Sequence, residues 1–370
     1  MTNLRFTPEW EVLEQLCVGL DSEDSKSKVL KVVSTETFDW GELLEQAIVH
    51  KLFSLLSFHV VNTFSSDIPV HKLIFQTFEN QLELNLYKTK IFRSEASKLV
   101  EILSNEGILF AATKGIAYES SIYNSNGSRN FETDIDFMID PDARTKVTSV
   151  LKKNGYQVGE YDRSSNSVVP HPREEELKFK LYPDHLLPYT VVTNDPLCKY
   201  LNIDIAFSFT WFNSEYVLPV CDALVDRKFQ NIPGEKNQLP VLSDEYALIF
   251  TALHLFREAW FYEKWVKIGQ DVNLMKFSDI INLSKAIYPG FDHAKFQQII
   301  ENCGLSKPLY WVFEHLDRTF GQSFVKDYNI QKVNDENYLN SAFTANQQLL
   351  YWTGSMRERL FIKDKRSLFR

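Results

Sequence analysis

The chain has few cysteines, and the four it has lie far apart along its 370 residues. They are Cys17, Cys198, Cys221 and Cys303. No two of them form a Cys-x-x-Cys motif, and none has the spacing of a Cys/His zinc site. These absences argue against a disulfide framework and a cysteine-ligated zinc centre, and they predict ordinary thiols in a reducing compartment.

The sequence also lacks the segments that direct a protein to a membrane. Its first residues show no basic stretch followed by an apolar one, so no signal peptide is predicted. No apolar run approaches the roughly 20 residues that span a bilayer. We therefore expect a cytoplasmic protein without a membrane partner.

A broad excess of basic residues is absent. The 49 acidic residues outnumber the 40 Lys and Arg residues, and the net charge is −9. Proteins that coat a nucleic-acid duplex normally present a broad basic face. The charge balance therefore argues against a large nucleic acid as partner and favours a small molecule or a peptide.

Glycine and proline are scarce, at 13 residues each, whereas aromatic residues make up 14% of the chain. This balance favours helices and a small sheet over a loop-rich all-β fold. The hydrophobic pattern indicates an N-terminal helical unit over residues 1–105, a mixed α/β core over 106–238 and a C-terminal helical unit over 239–370. The predicted fold class is α+β, with a small mixed sheet flanked by the two helical units.

Local patterns refine this division. The strands predicted in the central part cover residues 108–113, 133–139, 177–181, 186–192 and 201–209. The polar stretch 162–172 is expected to be a mobile loop. Asp39 is expected to be the N-cap of a helix, and a second long helix is expected over about residues 79–105, with Gly107 as its left-handed C-terminal cap. A long aromatic-rich helix is expected over residues 246–267, with Trp260 in the core. The basic tail over 357–370 is expected to be a solvated end.

The segment with the most chemical information contains Asp134 and Asp136. Side chains alternate across a strand, so the two carboxylates share one face while the apolar residues around them point to the other. Carboxylates this close repel each other unless a cation or solvent intervenes. Because Mg²⁺ prefers carboxylate oxygens together with substrate phosphates, the pair predicts a Mg²⁺ or Mn²⁺ site of the kind used in phosphoryl displacement. The structural alternative is the exposed face of an edge strand.

Three neighbouring features favour the metal interpretation. Lys114-Gly115 follows the first predicted strand, where a glycine lets backbone amides approach a phosphate. Arg129 lies in the polar loop before the acidic pair and is a candidate to bind a phosphate with its guanidinium group. Asp204 lies in an otherwise apolar strand, where an isolated carboxylate is costly, so a metal or another partner is expected there. Lys114-Gly115 can also be interpreted as an ordinary turn, and Arg129 as a solvated charge in a loop.

At these residues the chain resembles the DNA polymerase beta-type nucleotidyltransferase superfamily. Within it, the similarity is to the uncharacterised nucleotidyltransferase branch, whose genes occur beside natural-product and capsule genes. Members of that branch have a Lys-Gly pair, a short helix ending near a Tyr, a loop Arg and an Asp-hydrophobic-Asp motif. The matching residues here are Lys114, Gly115, Tyr123, Arg129, Asp134 and Asp136. One departure concerns Asp204, which is followed by Ile205 where many members have a histidine.

The resemblance extends to helices on either side of the core, over residues 40–50, 243–254 and 274–280. In the last of these, Lys276 and Asp279 match a Lys/Arg-x-x-Asp-Ile pattern, which implies that Lys276 contacts the nucleotide. Their spacing of three residues also suits a structural ion pair on one helix. His50 and His254 lie in apolar helical patterns and are interpreted as packing residues.

The resemblance implies a metal-dependent nucleotidyltransferase that moves an NMP group from an NTP such as ATP to a hydroxyl or phosphate of a small molecule or peptide, in natural-product biosynthesis. Asp134, Asp136 and Asp204 would be the catalytic and metal-binding residues. The nucleotide would be bound by Lys114, Gly115, Arg129 and Lys276.

Other functions remain open at this point. The same fold could act as a kinase, modify a tRNA end as a toxin does, or bind nucleotides without catalysis. Sugar-nucleotide glycosyltransferases also use an Asp-x-Asp motif, but they normally begin with alternating strands and helices rather than with about 100 helical residues. The sequence does not determine the base of the nucleotide, the acceptor, the oligomeric state or the choice between nucleotidyl and phosphoryl transfer.

Overall fold

A computed structural model describes residues 7–64, 67–174, 176–177, 184–211, 214–261, 271–344, 348–362 and 364–368. The chain forms two compact units, one made of residues 1–81 and 251–370 and the other of residues 82–250. Both boundaries fall within helices. Most of the predicted strand 177–181 and the end of the predicted helix 246–267 lie outside the described residues.

The described elements are mostly helical, with one larger sheet. The helices are α1 (Pro8–Val18), α2 (Glu23–Val33), α3 (Trp40–Val49), α4 (Phe53–Phe58), α5 (Lys72–Asn105), α6 (Ile116–Ser121), α7 (Arg144–Lys153), α8 (Val220–Val225), α9 (Asp244–Trp260), α10 (Leu274–Ile287), α11 (His293–Cys303), α12 (Ser306–Phe320), α13 (Phe324–Asp327) and α14 (Met356–Phe361). The strands are β1 (Phe110–Ala112), β2 (Asp134–Ile139), β3 (Gln157–Val158), β4 (Glu160–Asp162), β5 (Ser167–Val169), β6 (Tyr189–Val192), β7 (Tyr200–Ala206), β8 (Lys228–Asn231), β9 (Gln238–Val241), β10 (Ser341–Phe343) and β11 (Leu349–Tyr351). The predicted α+β class is confirmed.

Two helices of the first unit, α2 and α3, begin at side chains that satisfy their free backbone N–H groups. The Asp39 carboxylate accepts hydrogen bonds from the N–H groups of Gly41, at 2.7 Å, and Glu42, at 3.2 Å, so the predicted N-cap of α3 is confirmed. Ser22 and Ser25 cap α2 reciprocally. These local contacts fix where each helix starts before any packing is considered.

The core of the first unit is aromatic. Its largest fully buried apolar side chains include Trp10, Phe256, Phe277, Trp311 and Tyr328. Phe256 and Trp311 meet edge to face with ring centroids 5.6 Å apart, an arrangement favoured by the charge distribution of the rings. Trp260 is also buried, which confirms its predicted core position.

One prediction for the C-terminal part is wrong. The tail does not begin as a solvated end, because Arg357 pairs with Glu14 at 2.5 Å and Arg359 is fully buried against Asp271 at 2.7 Å. Distant partners here outweigh the local pattern. The predicted C-terminal helical unit also contains an antiparallel hairpin, formed by β10 and β11.

The second unit contains a seven-stranded mixed sheet in the order β3-β6-β7-β2-β1-β9-β8. Strand β2 lies near its centre, parallel to β7 on one side and antiparallel to β1 on the other. The odd-numbered residues of β2 and β7 are completely buried. The predicted alternation in β2 is therefore confirmed, and the acidic residues occupy the opposite face.

Helix α5 contributes to the core of the second unit. Phe92, Ala96, Leu99 and Leu103 repeat at three- and four-residue steps and are fully buried, as the helical period predicts. The helix ends before Gly107, whose φ of 64° is the left-handed conformation predicted for a C-terminal cap. The helix begins at Lys72, earlier than the pattern had indicated.

The stretch predicted as a mobile loop over residues 162–172 instead contains much of a hairpin, formed by β4 and β5. The Asp162 carboxylate accepts hydrogen bonds from the hydroxyl groups of Ser164 and Ser165, at 2.7 and 2.6 Å, and from their N–H groups, both at 3.1 Å. These bonds, the hydroxyl ones most of all, hold the pKa of Asp162 below its usual value. Asn166 adopts a left-handed φ of 49° that completes the turn. The polar residues thus close a turn rather than forming an open loop.

Among the described residues, no helix combines the length and the apolar character needed to cross a bilayer.

Candidate active site

The acidic residues come together through the pairing of β2 with β7. In this parallel pair Asp136 lies opposite Asp204, and Asp134 lies opposite Asn202. Residues that face each other across neighbouring strands point to the same side of a sheet. The three carboxylates predicted from the sequence therefore share one face, with Asp134 exposed, Asp204 half-buried and Asp136 only 8% exposed.

The surroundings of Asp136 raise the pKa of its carboxyl group above the usual value. Burial is the largest cause of its altered acidity, and the charges of Asp204 and Asp134 act in the same direction. Together they raise the pKa of Asp136 to about 6, although the nearby Lys114 ammonium lowers it. Lys114 Nζ lies 3.0 Å from Asp136 Oδ1. Negative charge at this position is therefore costly, and a cation beside it is favourable.

Asp204 has an oxygen whose hydrogen-bonding capacity is not used. Its Oδ1 is buried and has no hydrogen-bond partner within the described part of the chain. Leaving a buried acceptor unsatisfied costs about 1–3 kcal/mol. Because natural proteins rarely keep such an atom without a reason, Asp204 Oδ1 is the feature of this face that most directly fits a bound cation or a proton.

The donor chemistry of the face fits a hard divalent cation, since all three candidate ligands are carboxylates. Within the described ranges, however, no group of three or more His, Cys, Asp or Glu side chains is arranged to hold a metal ion. Lys114 contacts one of the oxygens that a metal would contact. Metal binding at these residues thus stays a prediction.

A residue that sequence reasoning missed holds Asp134 in place. Asn202 Nδ2 lies 3.3 Å from Asp134 Oδ1 and donates a hydrogen bond to it, and Thr133 Oγ1 donates to the same oxygen at 2.9 Å. Thr190 Oγ1 in turn lies 3.1 Å from Asn202 Oδ1. The available signal was the position of Asn202, two residues before Asp204 and so on the same face of the strand.

Lys114 and Gly115 follow β1 and lead into α6. Gly115 has a positive φ of 54°, which a residue with a side chain rarely adopts. A Cβ atom built there would lie 3.6 Å from Asp136 Oδ2. The glycine therefore brings the backbone close to the acidic face, and the turn predicted at this position is confirmed.

Arg129 is fixed by the loop in which it lies. Asn85, a buried residue of α5, donates hydrogen bonds to the carbonyl oxygens of Gly127 and Arg129, both at 2.7 Å. The Arg129 guanidinium carbon lies 6.0 Å from the centroid of the Tyr123 ring. The role of Arg129 in phosphate binding stays a prediction, and Asn85 is a second residue that the sequence did not single out.

Lys276 belongs to the other unit. Its Nζ lies 2.6 Å from Glu258 Oε2 and 3.4 Å from His254 Nδ1. His254 and Glu258 also approach each other, with 3.3 Å between His254 Nε2 and Glu258 Oε1. Lys276 is thus part of a charged cluster, and its predicted contact with a nucleotide remains untested.

His185 is another residue that sequence reasoning missed. It forms an antiparallel bridge with Ala206 at the end of β7, so it lies on the face that carries Asp204. Its Nδ1 atom lies 2.5 Å from Asp184 Oδ1. A carboxylate beside Nδ1 fixes the orientation of an imidazole ring, but the sequence around 184–185 has no periodicity that would have revealed this.

The chain matches a known family. The family described as uncharacterised nucleotidyltransferase matches residues 36–321, which is more than half of the chain. The matched range contains every residue of the acidic face together with Lys114, Gly115, Arg129 and Lys276. A comparison with curated proteins finds no match.

Proposed function

The chain belongs to the uncharacterised nucleotidyltransferase family, and from this premise we propose that it transfers an NMP group from an NTP to an acceptor. The proposed acceptor is a hydroxyl or phosphate group of a small molecule or peptide. The observation that carries the proposal is the register of β2 and β7, which sets Asp136 opposite Asp204 with Asp134 on the same face.

In this proposal Asp134, Asp136 and Asp204 are the ligands of Mg²⁺ or Mn²⁺. The bound ion would neutralise the triphosphate and hold it against the carboxylates. Support comes from the buried, unsatisfied Oδ1 of Asp204 and from the raised pKa of Asp136, whose burial disfavours negative charge without a cation nearby. Asn202 keeps Asp134 in one orientation.

The chemical step follows from these positions. The acceptor oxygen forms a bond to the α-phosphorus while the bond from that phosphorus to pyrophosphate breaks, and pyrophosphate leaves with the electron pair. Asp204 takes the proton of the acceptor hydroxyl. Lys114, the Gly115 amide and Arg129 stabilise charge on the phosphates. No covalent bond to the protein forms.

The test compares Asp136→Asn with Asp222→Asn, a control that removes an exposed carboxylate from α8 in the same unit. We expect Asp136→Asn to lower Mg²⁺-dependent pyrophosphate release from ATP by at least about 100-fold, since it removes charge stabilisation in the transition state. The control variant should keep wild-type activity. Circular dichroism should show both variants folded.

The identity of the product tests the type of transfer. Mass spectrometry of acceptors incubated with the full-length protein, ATP and Mg²⁺ should show the mass increase of one AMP group. An increase of a single phosphate would replace nucleotidyl transfer with kinase activity. Undiminished pyrophosphate release by Asp136→Asn would remove the assignment of these carboxylates.

A further inference from the structure

The acidic face continues along β7 beyond the carboxylates. Residues of this strand alternate between buried and half-buried positions, and the half-buried set begins with Tyr200, followed by Asn202 and Asp204. Tyr200 therefore shares the face of Asp204. With about 3.3 Å of rise per residue and about 4.8 Å between strands, its Cα lies roughly 8 Å from the Cα of Asp134.

A second tyrosine covers Tyr200. Tyr161, from the hairpin of β4 and β5, stacks on it with ring centroids 4.6 Å apart and an interplanar angle of 17°. The Tyr161 hydroxyl donates to Asn166 Oδ1 at 2.7 Å, and Thr190 Oγ1 donates to the carbonyl oxygen of Gly159 at the base of the hairpin, also at 2.7 Å. The two rings are therefore held in a defined position.

The order of the strands separates a charged flank from an aromatic one. Lys114 follows β1 on one side of β2, whereas Tyr200 lies in β7 on the other side. Asp134 and Asp136 lie in β2, between them. A nucleoside triphosphate has the same polarity, because its phosphates carry charge and its base presents a flat, apolar surface.

We propose that Tyr161 and Tyr200 form the surface on which the base of the NTP stacks. The inference rests on the proposed function, because it assumes that the acidic face binds the phosphates. Within an NTP, the base is the one component with an aromatic face. Stacking of this kind tolerates different bases, because every base has such a face.

The experiment measures binding to the full-length protein by calorimetry with Mg²⁺ present. The probes are ATP and inorganic tripolyphosphate, which carries the charges without the nucleoside. Tyr161→Ala should weaken ATP binding by about 5- to 150-fold, the range measured for loss of one base-stacking contact. Its affinity for tripolyphosphate should not change.

Two further variants separate stacking from a structural role. Tyr161→Phe keeps the ring and loses the hydrogen bond to Asn166, so this variant should bind ATP like the wild type. Tyr161→Leu keeps apolar volume without an aromatic face, so this variant should bind ATP more weakly than the wild type. Tyr351→Ala, an exposed tyrosine of β11, is the control.

Each outcome is informative. Equal losses for ATP and tripolyphosphate, unchanged ATP affinity in Tyr161→Ala, or a Phe variant as weak as the Ala variant would overturn the stacking surface and leave the proposed function standing. If the wild type binds neither probe, the proposed function itself fails and the inference fails with it.

Discussion

The buried ion pair between Arg359 and Asp271 allows a quantitative prediction about how the C-terminal segment is held. Arg359 Nη2 lies 2.7 Å from Asp271 Oδ1, Arg359 Nε lies 3.1 Å from Asp271 Oδ2, and a further bond reaches the carbonyl oxygen of Ala259 at 2.7 Å. The guanidinium carbon lies 5.2 Å from the centroid of the Trp352 ring. Lys365 Nζ lies 3.7 Å from Asp271 Oδ2, and burial lowers the pKa of Lys365 to about 8.

The expected magnitude follows from desolvation. The Arg359 side chain is 0% exposed and that of Asp271 is 5% exposed, so removal of one partner leaves the other charge buried. Such a change typically costs 3–5 kcal/mol, whereas removal of both charges is close to neutral. We expect Arg359→Met and Asp271→Asn each to destabilise the protein by about 3–5 kcal/mol, and the double variant to cost no more than either single variant, so that the coupling energy is at least about 3 kcal/mol.

Urea unfolding at pH 8, followed by tryptophan fluorescence, measures these free energies of unfolding. The fluorescence reports mainly on the compact unit that contains the ion pair. Every tryptophan except Trp211 falls within residues 1–81 and 251–370. Arg366→Met is the control, because it removes an exposed arginine of the same segment whose ion pair with the nearby Asp364 is itself exposed. A cost below about 1 kcal/mol for Arg359→Met, or a coupling energy near zero, would refute the desolvation argument.

Two further predictions concern the site and the pH dependence of stability. Asn202→Ala should lower turnover by about 10- to 100-fold, as expected when the residue that orients a metal ligand is lost. The control Asn237→Ala, which removes another half-buried asparagine of the same unit, should keep wild-type turnover. Equal turnover of the two variants would show that the bond from Asn202 to Asp134 has no catalytic role. Burial lowers the pKa of His315 to about 3, so the folded state stays unprotonated where the unfolded state, with a pKa near 6.5, binds a proton. This stabilising contribution is complete above pH 6.5 and is lost as the pH falls towards 3, by about 1.4 kcal/mol per pH unit. His315→Gln should reduce the slope of the unfolding free energy against pH by the amount that corresponds to one proton. The control His71→Gln, at an exposed histidine, should leave the slope unchanged. An unaltered slope in His315→Gln would contradict burial as the cause.

Much of the local structure could be predicted because it depends on neighbours in the chain. The alternation around Asp134 and Asp136 predicted that both carboxylates share a face, and the structure confirms this. Asp39 and Gly107 marked the start of α3 and the end of α5 through capping and a left-handed φ. Each of these features involves only a few consecutive residues.

In two segments the local pattern was insufficient. Polar residues around Asp162 predicted an open loop, but the ladder between β4 and β5 makes it a hairpin. The basic residues of the tail predicted a solvated end, but Arg359 finds Asp271, 88 positions earlier in the chain. A charge is stable in a protein core only with such a partner, and the sequence alone does not indicate which distant residue that is.

The alternation of apolar and polar residues predicts that Asp134, Asp136 and Asp204 lie on strands, and it indicates which residues of the same strand share a side with them. The folded sheet adds that β7 runs parallel to β2, with Asp204 opposite Asp136 and Asn202 opposite Asp134, which brings the carboxylates of two separate strands together. The physical reason is that a period of two residues fixes the face to which a side chain points, whereas the neighbouring strand and its register depend on how the whole sheet buries its apolar side.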